Sequence, residues 1–150
     1  MNYSLLIGLG SNKGNRELFL NEGLYALKSF FDFEECSPFA ESLPVDKEDQ
    51  PIFLNAVASY ALPQNFSPLD VLEILKKIEC SLGGTKESYK GPRTLDLDLL
   101  FWGNFLFINS LLQIPHPHVF HRPFLTLPIQ KLKAYNWLQS SFLFPKRTLA

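Results

Sequence analysis

Hydrophobic and polar residues follow two different periods in the first half of the chain, and the periods alternate. Residues 3–9 form an apolar run typical of a buried strand, and residues 15–31 repeat apolar positions at helical spacing. Residues 33–42 again favour a strand, in which Pro38 predicts an edge position or a bulge. Residues 52–62 alternate with a period of two, which predicts a strand whose side chains point in turn to two faces. One face carries Ile52, Leu54, Ala56, Ala58 and Tyr60.

The second half begins with a strong helix signal. Ser67 is a capping residue, Pro68 fits the first helical position, and Asp70 is an acid in the first turn. The helix is predicted to run to about Leu82 and to stop at Gly83, because glycine favours the end of a helix.

The last third mixes strand signals with loops. Residues 93–101 predict a strand, and a turn leads into a short strand at 105–108. A loop rich in proline and histidine is expected over 113–121, and Pro123 can open a final helix. The tail beyond Lys133 is weakly patterned.

The order of predicted elements is β-α-β-β-α-β plus C-terminal additions. This order predicts an α+β fold of the ferredoxin-like type, an antiparallel sheet with helices on one face. We expect a single catalytic domain over residues 1–150, a length that can bury a substantial core. The fold alone does not predict an activity.

Two acids stand in the strand of the segment GPRTLDLDLLFWG, residues 91–103. Side chains alternate along a strand, so Asp96 and Asp98 share one face, with Cα atoms about 6.7 Å apart. The core face is expected to carry Leu95, Leu97, Leu99 and Phe101. Neighbouring carboxylates repel each other unless a cation neutralises them, and oxygen ligands suit Mg²⁺. The alternative is two solvated acids on an exposed face.

Arg93 precedes the acid pair and follows a rigid Gly-Pro. A guanidinium binds phosphate through two parallel hydrogen bonds, although an Arg beside two acids can equally form a surface salt bridge. Further basic residues of this region favour phosphate binding. They are Lys76, Lys77, Lys86, Lys90 and Arg122.

Charge and cysteine content exclude several classes of protein. With 14 basic and 15 acidic residues, the net charge of −1 argues against a bulk electrostatic grip on nucleic acid or membrane. Cys36 and Cys80 lie far apart and predict reduced thiols in a cytoplasmic protein. The N-terminal residues read as a first strand rather than a signal peptide, and we expect a monomer.

Several blocks of residues resemble, in the same order, the 6-hydroxymethyl-7,8-dihydropterin pyrophosphokinase family over roughly residues 3–128. They are GSN at 10–12, DQPIFLNA at 49–56, IE at 78–79, GPRTLDLDLL at 91–100, and PH with HRPF at 115–124. The resemblance implies a ferredoxin-like enzyme of folate synthesis. Such an enzyme transfers pyrophosphate from ATP to the pterin and releases AMP, with two Mg²⁺ ions.

The resemblance also implies roles for individual residues. Metal binding falls to Asp96 and Asp98, and the catalytic group adds Arg93 and Lys86. The implied ATP-binding residues are Lys76, Glu79, Arg93, Leu99, Gln113, His116 and Arg122. The implied pterin-binding residues are Asn12, Ser42, Leu43, Val45, Phe53, Asn55 and Phe124. A flat heterocycle independently suits two aromatic faces and an amide, although Phe53 and Phe124 could simply be core residues.

The chain departs from the family pattern in the loop 83–92, which is about one residue short. Gly84 and Lys86 stand where arginines are common, and Lys lacks the two-pronged geometry of Arg. Tyr89 or Lys90 occupies the place of a closing aromatic residue. These departures leave open a degenerate binder of ATP and pterin with weak turnover. A non-catalytic ferredoxin-like binding module is the alternative from another class.

The motif His116-x-His118-x-x-His121 suggests zinc at first sight. Intervening prolines and the absence of a nearby cysteine argue against a structural zinc site, which usually has four ligands. A phosphate-facing His116 is the preferred interpretation.

Overall fold

The computed structural model describes residues 3–44, 49–83 and 93–145. The strands are β1 (Ser4–Ser11), β2 (Phe33–Cys36), β3 (Ala40–Ser42), β4 (Phe53–Ala61), β5 (Asp96–Trp102), β6 (Phe107–Ile108) and β7 (Gln113–Ile114). The helices are α1 (Arg16–Leu27), α2 (Pro68–Ser81), α3 (Pro123–Ile129) and α4 (Tyr135–Ser141).

The main sheet is antiparallel and has the order β2-β4-β1-β5, with β3 also paired to β4. The helices α1 and α2 pack on one face of this sheet. If β2 and β3 are taken as one interrupted strand, the order and pairing are those of the ferredoxin-like fold, which confirms the prediction.

The face under α1 and α2 holds the first of two cores, here called the helical core. Alternate residues of β1, β4 and β5 meet apolar residues of the two helices, so each strand buries one side here. Its buried members include Leu5, Ile7, Leu9, Leu20, Leu27, Tyr60, Val71, Leu75, Ile78, Leu97 and Leu99.

The opposite face is half covered by α3 and α4, which form the C-terminal core. This core includes Leu6, Val57, Leu100, Phe101, Leu125, Ile129, Trp137 and Leu138. The weakly patterned tail beyond Lys133 nevertheless forms the helix α4, which buries Tyr135, Trp137 and Leu138. The helix is only seven residues long, so its periodicity was too short to detect.

Phe101 corrects the predicted side-chain alternation of β5. The register with β1 shifts between Leu6 and Ile7, so Leu6 pairs with Phe101 and Ile7 pairs with Leu99. This irregularity leaves Leu100 between the two pairs and turns Phe101 into the C-terminal core, rather than the helical core shared by Leu97 and Leu99.

Local chemistry explains where the helices begin. Ser67 accepts a hydrogen bond from Asp70 N, and the Asp70 carboxylate accepts one from Ser67 N, so the predicted capping box is present. Asn15 caps α1 by accepting from Leu18 N.

Several element ends differ from the predictions. The helix α1 ends at Leu27 rather than 31, because the following turn carries Phe31 into the helical core. The strand β5 begins at Asp96 rather than 93. The predicted loop 113–121 contains β7, which pairs with β6 in a hairpin. Within the described residues, no helix has the length and hydropathy needed to cross a membrane.

Candidate active site

The uncovered half of the sheet carries a row of polar residues across three strands. Gly10 of β1 lies opposite Asn55 of β4 on one side and opposite Asp96 of β5 on the other. Two residues along, Gly8 lies opposite Asp98. Directly paired residues point to the same face, so this surface joins the amide and the two acids at the border of the C-terminal core.

The acid pair sits in an environment that disfavours negative charge. The pKa of Asp98 is raised to about 6, mainly by burial and also by the charge of Glu79. Arg93 and Arg122 oppose this rise. Burial also raises the pKa of Glu79 to about 7, while a hydrogen bond from Leu97 N to Glu79 Oε2 (2.7 Å) lowers it. The charged forms of Glu79 and Asp98 are therefore both disfavoured, mainly by burial.

This donor set fits a hard divalent cation. Within residues 3–44, 49–83 and 93–145, no group of three or more His, Cys, Asp and Glu residues is placed to hold a metal ion. Mg²⁺ does not need such a group, because it binds one or two carboxylates and completes its octahedron with water and phosphate oxygens. The carboxylates of Asp96 and Asp98 meet that requirement.

Arg93 is held at the site by its main chain and by its side chain. Its N–H donates to Asn12 Oδ1 at 2.7 Å, and its carbonyl accepts from Asn12 N at 3.0 Å. The guanidinium forms an ion pair with Asp96 (Nη1 to Oδ1, 3.1 Å) and lies 5.6 Å from the ring centroid of Phe53. Its Nε is buried and has no hydrogen-bond partner among the described residues.

Asn12 connects two loops, a role that the sequence did not predict. Its Nδ2 donates to Gln50 Oε1 and to Pro51 O, both at 3.1 Å, while its Oδ1 accepts from Arg93. The residue is only 2% exposed. Direct pterin binding by Asn12 stays a prediction, but three of the hydrogen bonds that its amide can make already go to the protein.

The predicted pterin residues gather around Asn55. Asn55 Nδ2 donates to Ser42 Oγ at 2.6 Å, across the pairing of β3 with β4. Phe53 shares the strand face of Asn55, and Phe124 lies on α3, which packs against β3 and β4 on that same face. Leu43, which follows Ser42 in the chain, is highly exposed. Ser42, Phe53 and Phe124 therefore lie on the same face as Asn55 and define one region of the open face.

Gly10 forms the floor of that region, the backbone surface between Asn55 and Asp96 that carries no side chain. The sequence pattern did not predict this role. A Cβ atom at Gly10 would lie 3.2 Å from Asn55 Oδ1 and 3.5 Å from the Phe53 ring. The GSN motif marked the position, but only the pairing of three strands shows why a side chain is excluded there.

His116 presents one defined nitrogen to the site. Its Nδ1 accepts a hydrogen bond from His118 N at 3.2 Å, so in the neutral ring the proton resides on Nε2. The pKa of His116 is lowered to about 4, mainly by burial and to a smaller extent by His118 and Arg122. The ring is therefore neutral near pH 7 and offers an N–H donor.

The other predicted ATP residues are placed less uniformly. Arg122 immediately precedes α3, and its charge acts on both Asp98 and His116. Lys76 and Gln113 are exposed, whereas the Leu99 side chain is buried in the helical core and is not available for a contact. Other predictions lie outside the described residues. They concern Val45, Gly84, Lys86, Tyr89 and Lys90.

Comparison with known proteins gives one consistent match. The family model described as 7,8-dihydro-6-hydroxymethylpterin-pyrophosphokinase (HPPK) matches residues 6–134. The chain is similar to the 2-amino-4-hydroxy-6-hydroxymethyldihydropteridine pyrophosphokinase of Pseudomonas aeruginosa, with 43% identity over 84% of this chain and 78% of the relative. The enzyme of the same description from Bacillus subtilis is 34% identical, over 88% of this chain and 79% of the relative.

Longer relatives contain the matching region as one part. A folate synthesis bifunctional protein of Arabidopsis thaliana is 38% identical over 85% of this chain but only 26% of the relative. A solved structure of HPPK-DHPS in complex with substrates superimposes with a TM-score of 0.72 at 14% identity, over 96% of this chain and 42% of that chain. The chain thus spans less than half the length of these bifunctional proteins, and the structural likeness concerns the fold.

Proposed function

This chain belongs to the 7,8-dihydro-6-hydroxymethylpterin-pyrophosphokinase family, and on that premise we propose that it transfers pyrophosphate from ATP to 6-hydroxymethyl-7,8-dihydropterin. The products are AMP and the pterin diphosphate, an intermediate of folate synthesis. One observation carries the proposal: the acid pair with Arg93 is separated from the Asn55 region by the single strand β1, on the same open face. A pterin over Gly10 would therefore hold its hydroxymethyl group near phosphates that bind through a cation at the acid pair.

The reaction forms a bond between the hydroxymethyl oxygen and the β-phosphorus of ATP. The bond from that phosphorus to the oxygen shared with the α-phosphate breaks, AMP leaves with the electron pair, and the hydroxyl proton is released. We propose that Asp96 and Asp98 hold Mg²⁺, two ions by family resemblance. When bound, the metal would neutralise phosphate charge and help to align the hydroxymethyl oxygen with the oxygen that leaves on AMP.

The remaining residues position the two substrates. Arg93, His116 Nε2–H and Arg122 supply donors for phosphate oxygens, and Asn12 fixes the main chain of Arg93. Asn55, oriented by Ser42, offers acceptor and donor atoms to the edge of the pterin, with aromatic rings from β4 and α3 on either side. Catalysis is then mainly alignment and charge stabilisation.

Several sequence predictions extend this proposal. We propose a cytoplasmic monomer with a single catalytic domain, which acts on small molecules rather than on nucleic acid or membranes. The catalytic role of Lys86 belongs to the same set. The family match does not favour the alternatives of a degenerate binder or a non-catalytic module.

Loss of either acid should remove most of the activity. Asp96→Ala and Asp98→Ala are each expected to lower turnover at saturating Mg²⁺ by at least about a hundredfold, the typical cost of losing one electrostatic group. The measurement is pterin-dependent consumption of ATP, with circular dichroism to check folding.

Asp70→Ala is the matched control. It removes an acid that caps α2 and should cost about 1 kcal/mol of stability while leaving turnover unchanged. Turnover close to wild type in either Asp96→Ala or Asp98→Ala would contradict the assignment of the acid pair.

A further inference from the structure

Two histidines of the loop before α3 have no part in the proposed reaction. His118 Nδ1 and His121 Nε2 lie 3.2 Å apart, with ring planes nearly perpendicular at 86°. His121 is exposed and His118 is half-buried, so water and ions can reach the pair.

The separation of the two nitrogens is that of two ligands on one metal ion. Metal–nitrogen bonds of about 2.0–2.1 Å, at angles between square and tetrahedral, place neighbouring nitrogens about 2.9–3.4 Å apart. We infer that His118 and His121 form a chelating site for a divalent transition-metal cation such as Zn²⁺, Ni²⁺ or Cu²⁺, distinct from the acid pair. This inference does not depend on the proposed function.

The backbone of the loop that carries both histidines is already hydrogen-bonded. His118 O accepts from Arg122 N (3.2 Å), and His118 N donates to His116 Nδ1 (3.2 Å). Between the histidines, Val119 is fully buried in the C-terminal core. A cation would therefore bind without much ordering of the loop, which keeps the entropic cost low.

Ligand chemistry separates this site from the Mg²⁺ site. Imidazole nitrogen suits Zn²⁺, Cu²⁺ and Ni²⁺, whereas Mg²⁺ prefers oxygen. Within the described ranges no third His, Cys, Asp or Glu joins the pair to make a metal-binding group, and water can fill the other positions. We expect an open site that binds more weakly than a four-ligand structural site.

The competing explanation is a hydrogen bond between the two rings, with one neutral histidine as donor. It uses the same nitrogens, so the geometry alone is compatible with both. Titration with Zn²⁺ separates the two explanations, because only a chelate requires both rings for tight binding.

The test uses the full chain in excess Mg²⁺, which occupies the acid pair. Zn²⁺ is titrated by calorimetry while ¹⁵N spectra follow the histidine ring nitrogens. One Zn²⁺ per chain should bind and shift the resonances of His118 Nδ1 and His121 Nε2. His118→Asn and His121→Asn should each weaken binding by at least about tenfold, since even loss of a group that only supports a ligand costs ten- to a hundredfold.

His116→Asn is the matched control, because it removes the third imidazole of the loop while its Oδ1 can still accept from His118 N, and it should change the Zn²⁺ affinity less than threefold. Zn²⁺ binding that survives both His118→Asn and His121→Asn would overturn the inference. So would ring resonances of His118 and His121 that stay unchanged at saturating Zn²⁺.

Discussion

At the scale of single residues, the site depends on one position that has no side chain. Gly10 separates Asn55 from Asp96 across three strands, and its missing Cβ leaves the face open. Period-two alternation alone predicted that Asp96 and Asp98 share a face. It did not predict Gly10 as a floor or Asn12 as a connector, because both roles require contacts between distant segments.

Gly10→Ala should therefore weaken pterin binding. The new methyl group would stand 3.2 Å from Asn55 Oδ1, tighter than most real contacts, so the amide must shift from its position beside Ser42. Calorimetry should show at least about tenfold weaker pterin binding, or about 1.4 kcal/mol, with ATP binding almost unchanged.

Gly8→Ala tests whether any added methyl group on β1 has the same effect. Its Cβ would meet only Leu100 and Leu125 at 3.4–3.6 Å, which are ordinary contacts. Equal losses of pterin affinity in both variants would count against Gly10 as the floor of the pterin region.

Glu79 makes stability depend on pH. Burial raises its pKa in the folded state from 4.5 to about 7, so the folded chain keeps a proton that the unfolded chain releases. The stability from this proton is fully present below about pH 4.5 and is lost as pH rises towards 7.

Glu79→Gln removes this titration, so the variant should gain stability relative to wild type between pH 5 and 7.5 without Mg²⁺. The gain in the free energy of unfolding has an upper limit of about 1.4 kcal/mol per pH unit. The actual gain should be smaller, because Glu79 is not fully buried. Urea unfolding of both proteins measures it. Glu73→Gln, on the exposed side of α2, is the control for the loss of one carboxylate as such. A curve for Glu79→Gln that runs parallel to wild type would contradict the account.

At the scale of elements, the fold was more predictable than the ends of its parts. The capping box of α2 and the alternation of β4 are local signals, and the structure agrees with both. The end of α1, the shifted register of β5 and the burial of α4 are decided by packing against other elements, so the sequence pattern did not show them.

Asn12→Ala should remove the hydrogen bonds that link the segment at Pro51 to the segment at Arg93. The change leaves Arg93 N–H and Pro51 O without their partner, at an expected cost of about 1–3 kcal/mol. Because Arg93 then loses its main-chain anchor, turnover should fall by at least about tenfold, as measured in the same assay.

Ser67→Ala supplies a variant of comparable stability. It removes the cap of α2 at about 1 kcal/mol and should leave turnover intact. If Asn12→Ala keeps as much activity as Ser67→Ala, the connection through Asn12 does not serve the reaction.

At the scale of the whole molecule, two hydrophobic cores lie on opposite faces of the sheet and have different roles. The helical core supports one face of the sheet, and the C-terminal core covers half of the other face and leaves the rest open for substrates. The sequence did not indicate that the weakly patterned C-terminal residues would border the site. That border follows from the alternate faces of β1, β4 and β5, each of which serves both cores.

The most direct test of the account identifies the products formed from β-labelled ATP, Mg²⁺ and 6-hydroxymethyl-7,8-dihydropterin. The account predicts AMP and a pterin diphosphate that carries the label, formed only when the pterin is present. ADP with an unlabelled pterin monophosphate would mean transfer of the γ-phosphate alone and would contradict it.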